Sequence, residues 1–248
     1  MSDARATGVR DGGIAARLAE LRARAAAAAE RAGRSPAEVT LIGVAKRQPA
    51  ARVVAAVAAG LGDVAENFVQ EARDKLPAVR EALAARGLAA PRFHLVGRLQ
   101  TNKARTAAPL FDCVQSVDRL ELARELARRA EAAGRTLDAL VQVNLSGEPQ
   151  KGGVAPDGLA ALLDACAALP ALRLRGLMTV PEETSDAALL RGRFAALREL
   201  RDTAVRAGHA GVRELSMGMS ADFELAIEAG ATWIRIGTAL FGAREAAE

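Results

Sequence analysis

Short apolar runs alternate with longer amphipathic stretches along most of this chain. Leucines and alanines recur at helical spacing from residue 14 to residue 34, which predicts a helix that precedes the rest of the fold. Beyond it come short apolar runs, each followed by a helical stretch rich in Ala, Leu, Arg and Glu. We predict eight strands, at residues 40–45, 63–66, 93–97, 112–117, 139–145, 174–180, 213–218 and 233–237.

Eight βα units in 248 residues predict a single (β/α)8 TIM barrel of the α/β class with an extra N-terminal helix. An open doubly wound sheet is the main alternative. Such a sheet typically carries a GxGxxG turn or a P-loop after an early strand, and the sequence contains neither. We therefore expect residues 13–248 to form one barrel domain and residues 1–12 to be disordered.

Composition and charge are those of an ordinary globular protein. The 34 basic and 30 acidic residues are mixed along the chain, without a basic stripe and interleaved aromatics, so we expect no nucleic-acid partner. No apolar run has the length of a membrane span and the N-terminus has no apolar signal segment, so we expect no membrane partner. Cys113 and Cys166 lie far apart in apolar segments, which favours buried thiols in a reducing compartment, here the cytoplasm.

Polar residues cluster where the predicted strands end. In a (β/α)8 barrel the βα loops converge at the carboxyl ends of the strands, and the chemistry is located there. Lys46 ends the first strand of a chain that has only four lysines among its 34 basic residues. Glu66 and Asn67 end the second strand, and His94 lies just inside the third. These side chains are candidates for one site at the barrel mouth.

Two segments rich in glycine and hydroxyl groups follow the seventh and eighth strands. They are SMGMS, residues 216–220, and IGTALFG, residues 236–242. Each alone is typical of an ordinary turn, but together, at the place where barrels commonly bind phosphate, they favour a phosphate site. Arg235 alternates with Ile234 and Ile236, which places it on the same face as Trp233 and Gly237. If that face is the inner one, a cation lies beside the phosphate site.

A lysine that faces a phosphate site across a barrel mouth indicates Schiff-base chemistry. An amine in a partly desolvated, cationic site loses its proton and attacks an aldehyde. The ligand is then a sugar phosphate or pyridoxal 5′-phosphate. Arg235 favours the second, because a guanidinium against a pyridine nitrogen keeps that nitrogen unprotonated, and a sugar phosphate offers no such partner. A sugar-phosphate aldolase would also need an acid/base pair around Lys46, and only Glu66 is near in sequence.

Seven segments between about residues 40 and 245 resemble the pyridoxal phosphate homeostasis proteins, whose barrel is similar to the N-terminal domain of alanine racemase. The segments are VAKRQPA, AENFVQE, FHLVGRLQTNKAR, VQSVDRLELA, VQVNLSGEPQKGGV, LRLRGLMTVP and ELSMGMSADFELAIEAGATWIRIGTALFGARE. The resemblance implies that Lys46 is the Schiff-base lysine, that Arg235 meets the pyridine nitrogen and that Asn67 lies beside the cofactor. It further implies phosphate contacts from Ser216, Ser220, Gly237 and Thr238, and packing of Met217 near the ring or phosphate.

Two further residues have open roles. Lys151 aligns with a family lysine in a mobile loop and either assists cofactor transfer or is an exposed loop lysine. His94 either orients groups under the cofactor or is a hydrogen-bonded core histidine. The chain also departs from the family pattern, with Ala45 and Arg47 where Ser and Thr usually flank the lysine, and with Phe68 in place of a tyrosine.

The function implied is that of a cofactor carrier. Racemisation of the alanine racemase type needs a second base, a tyrosine supplied with the help of another domain. This sequence has no tyrosine, and we expect no such domain after the eighth unit. An unprotonated pyridine nitrogen also makes the cofactor a weaker electron sink. We expect a monomer that binds, buffers and delivers pyridoxal 5′-phosphate, with apo-forms of enzymes that use it as recipients. The alternative is a low-activity racemase or lyase with Lys46 as its single base.

Overall fold

The strands form a closed parallel barrel in the order β1 to β8, with β8 paired to β1. This computed structural model describes residues 12–148 and 151–242. The strands are Thr40–Val44 (β1), Asp63–Glu66 (β2), Arg92–Leu95 (β3), Cys113–Val117 (β4), Leu137–Gln142 (β5), Leu172–Met178 (β6), Glu214–Ser216 (β7) and Trp233–Ile236 (β8). The predicted (β/α)8 barrel is confirmed.

Helices alternate with these strands and cover the barrel. In the described ranges they are Gly12–Arg31 (α1), Ala50–Ala58 (α2), Val69–Ala84 (α3), Ala104–Leu110 (α4), Leu120–Ala132 (α5), Leu159–Ala167 (α6), Ala187–Arg206 (α7), Phe223–Glu228 (α8) and Thr238–Phe241 (α9). None of these helices combines the length and the apolar character needed to cross a membrane.

The predicted N-terminal helix is α1. Its buried side chains, among them Ile14, Leu18 and Leu21, recur every three or four residues and so lie on one face. The helix ends before Gly33, whose φ of +68° is the left-handed conformation that commonly ends helices. Of the residues predicted to be disordered, 1–11 lie outside the described residues and Gly12 begins α1.

Alternating strand residues divide between two cores. The smaller core fills the barrel interior and consists of Ile42, Ala65, Cys113, Leu140, Met178 and Trp233. The larger lies between barrel and helices and includes Ile234 and Ile236. The predicted alternation in β8 is therefore confirmed, and Arg235 lies on the inner face with Trp233. Cys113 and Cys166 are both buried free thiols, as predicted.

Strands β5 and β6 end earlier than predicted, at Gln142 and Met178. One more backbone bond to the neighbouring strand follows each end, from the Val143 amide to the Met178 carbonyl at 2.8 Å and from the Thr179 amide to the Ser216 carbonyl at 3.2 Å, and loop and side-chain contacts then take over. The Asn144 amide donates to the Val154 carbonyl at 2.9 Å, and the Thr179 hydroxyl donates to the Val143 carbonyl at 3.0 Å. The residues just after β5 and β6, such as Val143 and Thr179, are still buried at the barrel mouth. The apolar pattern in the sequence therefore continues past the last residue of each strand.

Candidate cofactor-binding site

A cavity of about 440 Å³ opens at the carboxyl ends of the strands. This volume lies in the range of about 300 to 1,000 Å³ typical of small-molecule sites. Six of the eight predicted cofactor contacts line it, namely Lys46, Asn67, Ser220, Arg235, Gly237 and Thr238. The remaining lining residues are Val44, Val96, Val180, Glu183, Met219 and Ala221. One amine, one guanidinium and two hydroxyls thus meet around one space with apolar walls.

The alternation of β1 delivers Lys46 to the cavity. Ile42 belongs to the interior core and Val44 packs against it, so the next inward position along the strand is Lys46. The backbone then turns sharply, since Arg47 has a φ of +56° and is the only described residue other than glycine in the left-handed region. Such a conformation is sparsely populated and persists where surrounding contacts enforce it.

Those contacts come from Lys75 and Glu71 of α3. The Lys75 ammonium donates to the carbonyls of Ala45 at 2.8 Å and Gln48 at 3.0 Å, on either side of the Lys46 turn. The Glu71 carboxylate accepts a bond from the Arg47 amide at 2.5 Å and another from Lys75 at 2.8 Å. We call these two side chains the α3 clamp. It fixes the backbone from which the Lys46 side chain extends.

Glu66 lies behind the clamp and not in the cavity. Its inward neighbours in sequence are Ala65 and Asn67, so its own side chain points toward α3, where Lys75 Nζ lies 2.7 Å from Oε1. The contact is an ion pair, and neither carboxylate oxygen has a further hydrogen-bond donor among the described residues. Burial raises the pKa of Glu66 to about 7, against the opposing effect of Lys75. The acid/base pair that an aldolase would need at Lys46 is therefore not supplied by Glu66.

Arg235 is buried inside the barrel and also borders the cavity. Its Nη1 donates to the Ser216 hydroxyl at 2.7 Å and its Nη2 to the Thr179 carbonyl at 2.8 Å. Burial lowers the pKa of Arg235 to about 10, and the Asp222 carboxylate opposes that shift. The guanidinium therefore stays charged at neutral pH. Since a guanidinium has five N–H donors, these two bonds leave donors for a ligand.

Ser216 and Met217 lie outside the cavity lining. The Ser216 hydroxyl is fully buried, accepting from Arg235 and donating to Gln115 at 2.6 Å. Met217 points to the other face of β7, into the core between barrel and helices, and Met219 lines the cavity instead. The predicted contacts of these two side chains with a cofactor thus find no support in the geometry.

The structure also shows the surroundings of His94 and Lys151, the two residues whose roles the sequence left open. His94 is fully buried, contacts Asp63 at 2.9 Å and Gln115 at 3.0 Å, and meets the Trp233 ring edge-on. It therefore lies below the cavity as a hydrogen-bonded interior histidine. Lys151 forms an ion pair with Glu148, and that contact lowers the pKa of the Glu148 carboxyl. Residues 149 and 150 of the same loop lie outside the described ranges.

A larger cavity of about 750 Å³ adjoins the first and shares Asn67 with it. Its lining includes Arg98, Lys103 and Arg119, together with Phe68, whose side chain is 50% exposed. It contains neither the lysine after β1 nor the segments after β7 and β8. The smaller cavity is therefore the candidate site for a reactive ligand.

Sequence reasoning missed several residues of the site. Val96 and Val180 could have been found by alternation from His94 and Met178, which point inward. The role of Gln115 could not be predicted, because a single glutamine in an apolar strand does not reveal which side chains it will contact. Glu183 and Met219 lie in loops, where strand periodicity does not apply.

Comparison with known proteins agrees with this fold. The family model for the alanine racemase N-terminal domain matches residues 16–245. A pyridoxal phosphate homeostasis protein of Pseudomonas aeruginosa is 48% identical over 232 residues, which cover 94% of this chain and 96% of that protein. One from Escherichia coli K12 is 40% identical over 234 residues, covering 94% of this chain and 97% of that protein.

Among solved structures, PipY of Synechococcus elongatus with PLP bound has a TM-score of 0.80 and 39% identity, over 92% of this chain and 100% of that one. The similarity spans nearly the whole chain and includes the strands that carry the cavity. The chain therefore belongs to the family of pyridoxal phosphate homeostasis proteins, with a barrel of the alanine racemase N-terminal domain type.

Proposed function

We propose that this protein binds pyridoxal 5′-phosphate in the cavity at Lys46 and carries or buffers it, without substantial amino-acid turnover. One observation carries the proposal: the cavity joins the Lys46 amine, the Ser220 and Thr238 hydroxyls and the Arg235 guanidinium. This donor set fits an anionic, aromatic aldehyde. Two relatives named for pyridoxal phosphate homeostasis and one neighbour with PLP bound support the same ligand.

Each group of cavity residues would bind a different part of the cofactor. Pyridoxal 5′-phosphate supplies an aldehyde that a lysine amine can attack and a ring that accepts electrons. Lys46 is the amine, held by the α3 clamp. Ser220, Gly237 and Thr238 would hold the phosphate, and Arg235 would meet the ring nitrogen. The valines and Met219 would exclude water from the ring.

The lining favours binding over catalysis. Apart from Lys46, Glu183 is the only group among the described lining residues that could accept a proton near neutral pH, and it is solvent-exposed. The sequence has no tyrosine. An Arg235 that stays charged at neutral pH would also keep the ring nitrogen unprotonated and weaken the ring as an electron sink.

A titration of the purified protein with pyridoxal 5′-phosphate tests the site. We expect a visible absorbance band, and borohydride reduction should attach the pyridoxyl group to the peptide that contains Lys46. Lys46→Ala should lose both signals. Lys103→Ala, in the neighbouring cavity, is the matched control and should keep both. Unchanged absorbance and attachment in Lys46→Ala would refute the assignment of the lysine.

A second assay separates carrier from enzyme. The loaded protein is incubated with L-amino acids in deuterated water, and with apo-forms of enzymes that use the same cofactor. We expect negligible exchange of the α-proton and recovery of activity in the recipient enzymes. Rapid exchange that needs Lys46 would favour the racemase or lyase alternative, and its loss in Glu183→Gln would name the second base. Transfer to recipients, the monomeric state and the cytoplasmic location stay predictions.

A further inference from the structure

A continuous set of polar contacts crosses the interior of the barrel beneath the cavity. It runs through the side chains of Asp63, His94, Gln115, Ser216 and Arg235, which we call the inner network. Successive contacts measure 2.9 Å, 3.0 Å, 2.6 Å and 2.7 Å. The five residues belong to β2, β3, β4, β7 and β8. Five strands therefore share one set of hydrogen bonds.

Donor counting assigns a single direction to these bonds. A guanidinium can only donate, so the Ser216 oxygen accepts from Arg235 and its own proton goes to the Gln115 carbonyl oxygen. The Gln115 amide nitrogen is then left to donate to His94 Nδ1, and His94 Nε2–H donates to the Asp63 carboxylate. Turning the Gln115 amide around would aim two donors at Ser216 and leave its hydroxyl proton without this acceptor. Only one arrangement satisfies every member.

The ends of the inner network lie at two different cavities. Arg235 borders the cavity at Lys46, whereas Asp63 borders a cavity of about 510 Å³ at the amino ends of β1 and β2. The three members between them are fully buried or nearly so. Buried polar groups that satisfy one another's hydrogen bonds in this way make a site rigid. Removing one member leaves its partners unsatisfied and lowers stability.

We propose that the inner network sets the position of the Arg235 guanidinium, and that Ser216 and Gln115 are positioning residues for recognition of the ring nitrogen. The Ser216 hydroxyl and the Thr179 carbonyl hold Nη1 and Nη2 from inside the barrel, and Gln115 holds the hydroxyl in turn. The guanidinium is thereby fixed with its remaining donors toward the cavity. This inference rests on the proposed function and gives Ser216 a role other than the predicted phosphate contact.

The test compares two ligands in each variant. One is pyridoxal 5′-phosphate and the other its carbocyclic analogue, which keeps aldehyde and phosphate but has C–H in place of the ring nitrogen. The native protein should prefer the first ligand by about tenfold or more, the effect of one hydrogen bond from a charged donor. Arg235→Met should lose this preference. Ser216→Ala and Gln115→Met should lose most of it by weakening only the binding of the nitrogen-containing ligand.

Cys113→Ala is the matched control, because Cys113 lies on the same strand as Gln115 and in the same interior but outside the inner network. It should lower thermal stability and keep the ligand preference. If Gln115→Met does not fold, the smaller change Ser216→Ala decides by itself.

The outcomes distinguish a failure of the proposed function from a failure of the positioning role. No binding of either ligand by the native protein would refute the proposed function. Loss of the preference in Arg235→Met, together with a full preference in Ser216→Ala, would overturn the positioning role and leave the proposed function intact. An unchanged preference in Arg235→Met would overturn the assignment of Arg235 and the positioning role with it.

Discussion

Replacing Lys75 by methionine should destabilise the protein and loosen the Lys46 turn. Methionine keeps much of the side-chain volume but removes the ammonium that contacts the carbonyls of Ala45 and Gln48 and the carboxylates of Glu66 and Glu71. The Lys75 side chain is only 9% exposed, so water cannot fully replace these contacts. Of the four partners, Glu66 is completely buried and loses the most.

The size of this loss of stability depends on the protonation state of Glu66 once Lys75 has been replaced. Removing one member of a buried ion pair typically costs about 3 to 5 kcal/mol when the other charge stays. The pKa of Glu66 is already raised to about 7, so in the variant this carboxyl takes up a proton at neutral pH and avoids part of the penalty. The two carbonyl contacts add about 1 kcal/mol each. We expect a loss of about 3 kcal/mol at pH 7, which is larger at pH 8 because protonating Glu66 then costs more.

Urea denaturation monitored by circular dichroism measures this loss as a lower midpoint at unchanged slope. Lys103→Met is the control for removing a lysine and should change stability by less than about 0.5 kcal/mol. The double variant Lys75→Met, Glu66→Gln should be less destabilised than the sum of the single changes. A cost below about 1 kcal/mol for Lys75→Met, or strict additivity in the cycle, would refute the reasoning. The variant should also bind pyridoxal 5′-phosphate more weakly.

Three further predictions concern pH, backbone and thiols. Because the folded-state pKa of Glu66 is about 7 against 4.5, this group's contribution to stability is complete below pH 4.5 and lost as pH rises through about 7. Glu66→Gln should remove about 3 kcal/mol of pH dependence in urea titrations, and an unchanged pH profile would contradict the pKa shift. Gly218→Ala should destabilise by more than Gly134→Ala. Both glycines have positive φ, but only at Gly218 would the new Cβ lie 2.6 Å from another side chain, so equal melting temperatures would count against the clash. Cys113 and Cys166 should react with thiol reagents only after unfolding, since burial raises the pKa of Cys166 to about 11 and holds the pKa of Cys113 well above its usual value. Reaction of the native protein at the rate of a free thiol would show that these sites open.

Much of the architecture was predictable because its causes are local. Side chains of a strand alternate between two faces through backbone sterics alone, and this places Arg235 inside the barrel and Lys46 at its mouth. The same alternation places the Met217 side chain in the core between barrel and helices, away from the cavity lining. The segments after β7 and β8 could be recognised as a candidate phosphate site because their residue types, glycine and hydroxyl side chains, are themselves the signal and can be read from the sequence.

The contacts that hold the site in place are not local. Ser216 meets Gln115 across 101 positions of sequence, and Lys75 reaches back 30 positions to the Ala45 carbonyl. Hydrogen bonds weaken steeply when distance or angle departs from a narrow range, so such pairs exist only where barrel closure and helix docking bring their atoms within that range. The sequence by itself therefore determined the fold, the lysine at the cavity and the inward arginine. Only the tertiary structure decided which buried groups position them, because closing the barrel sets the distances between strands that no local pattern encodes.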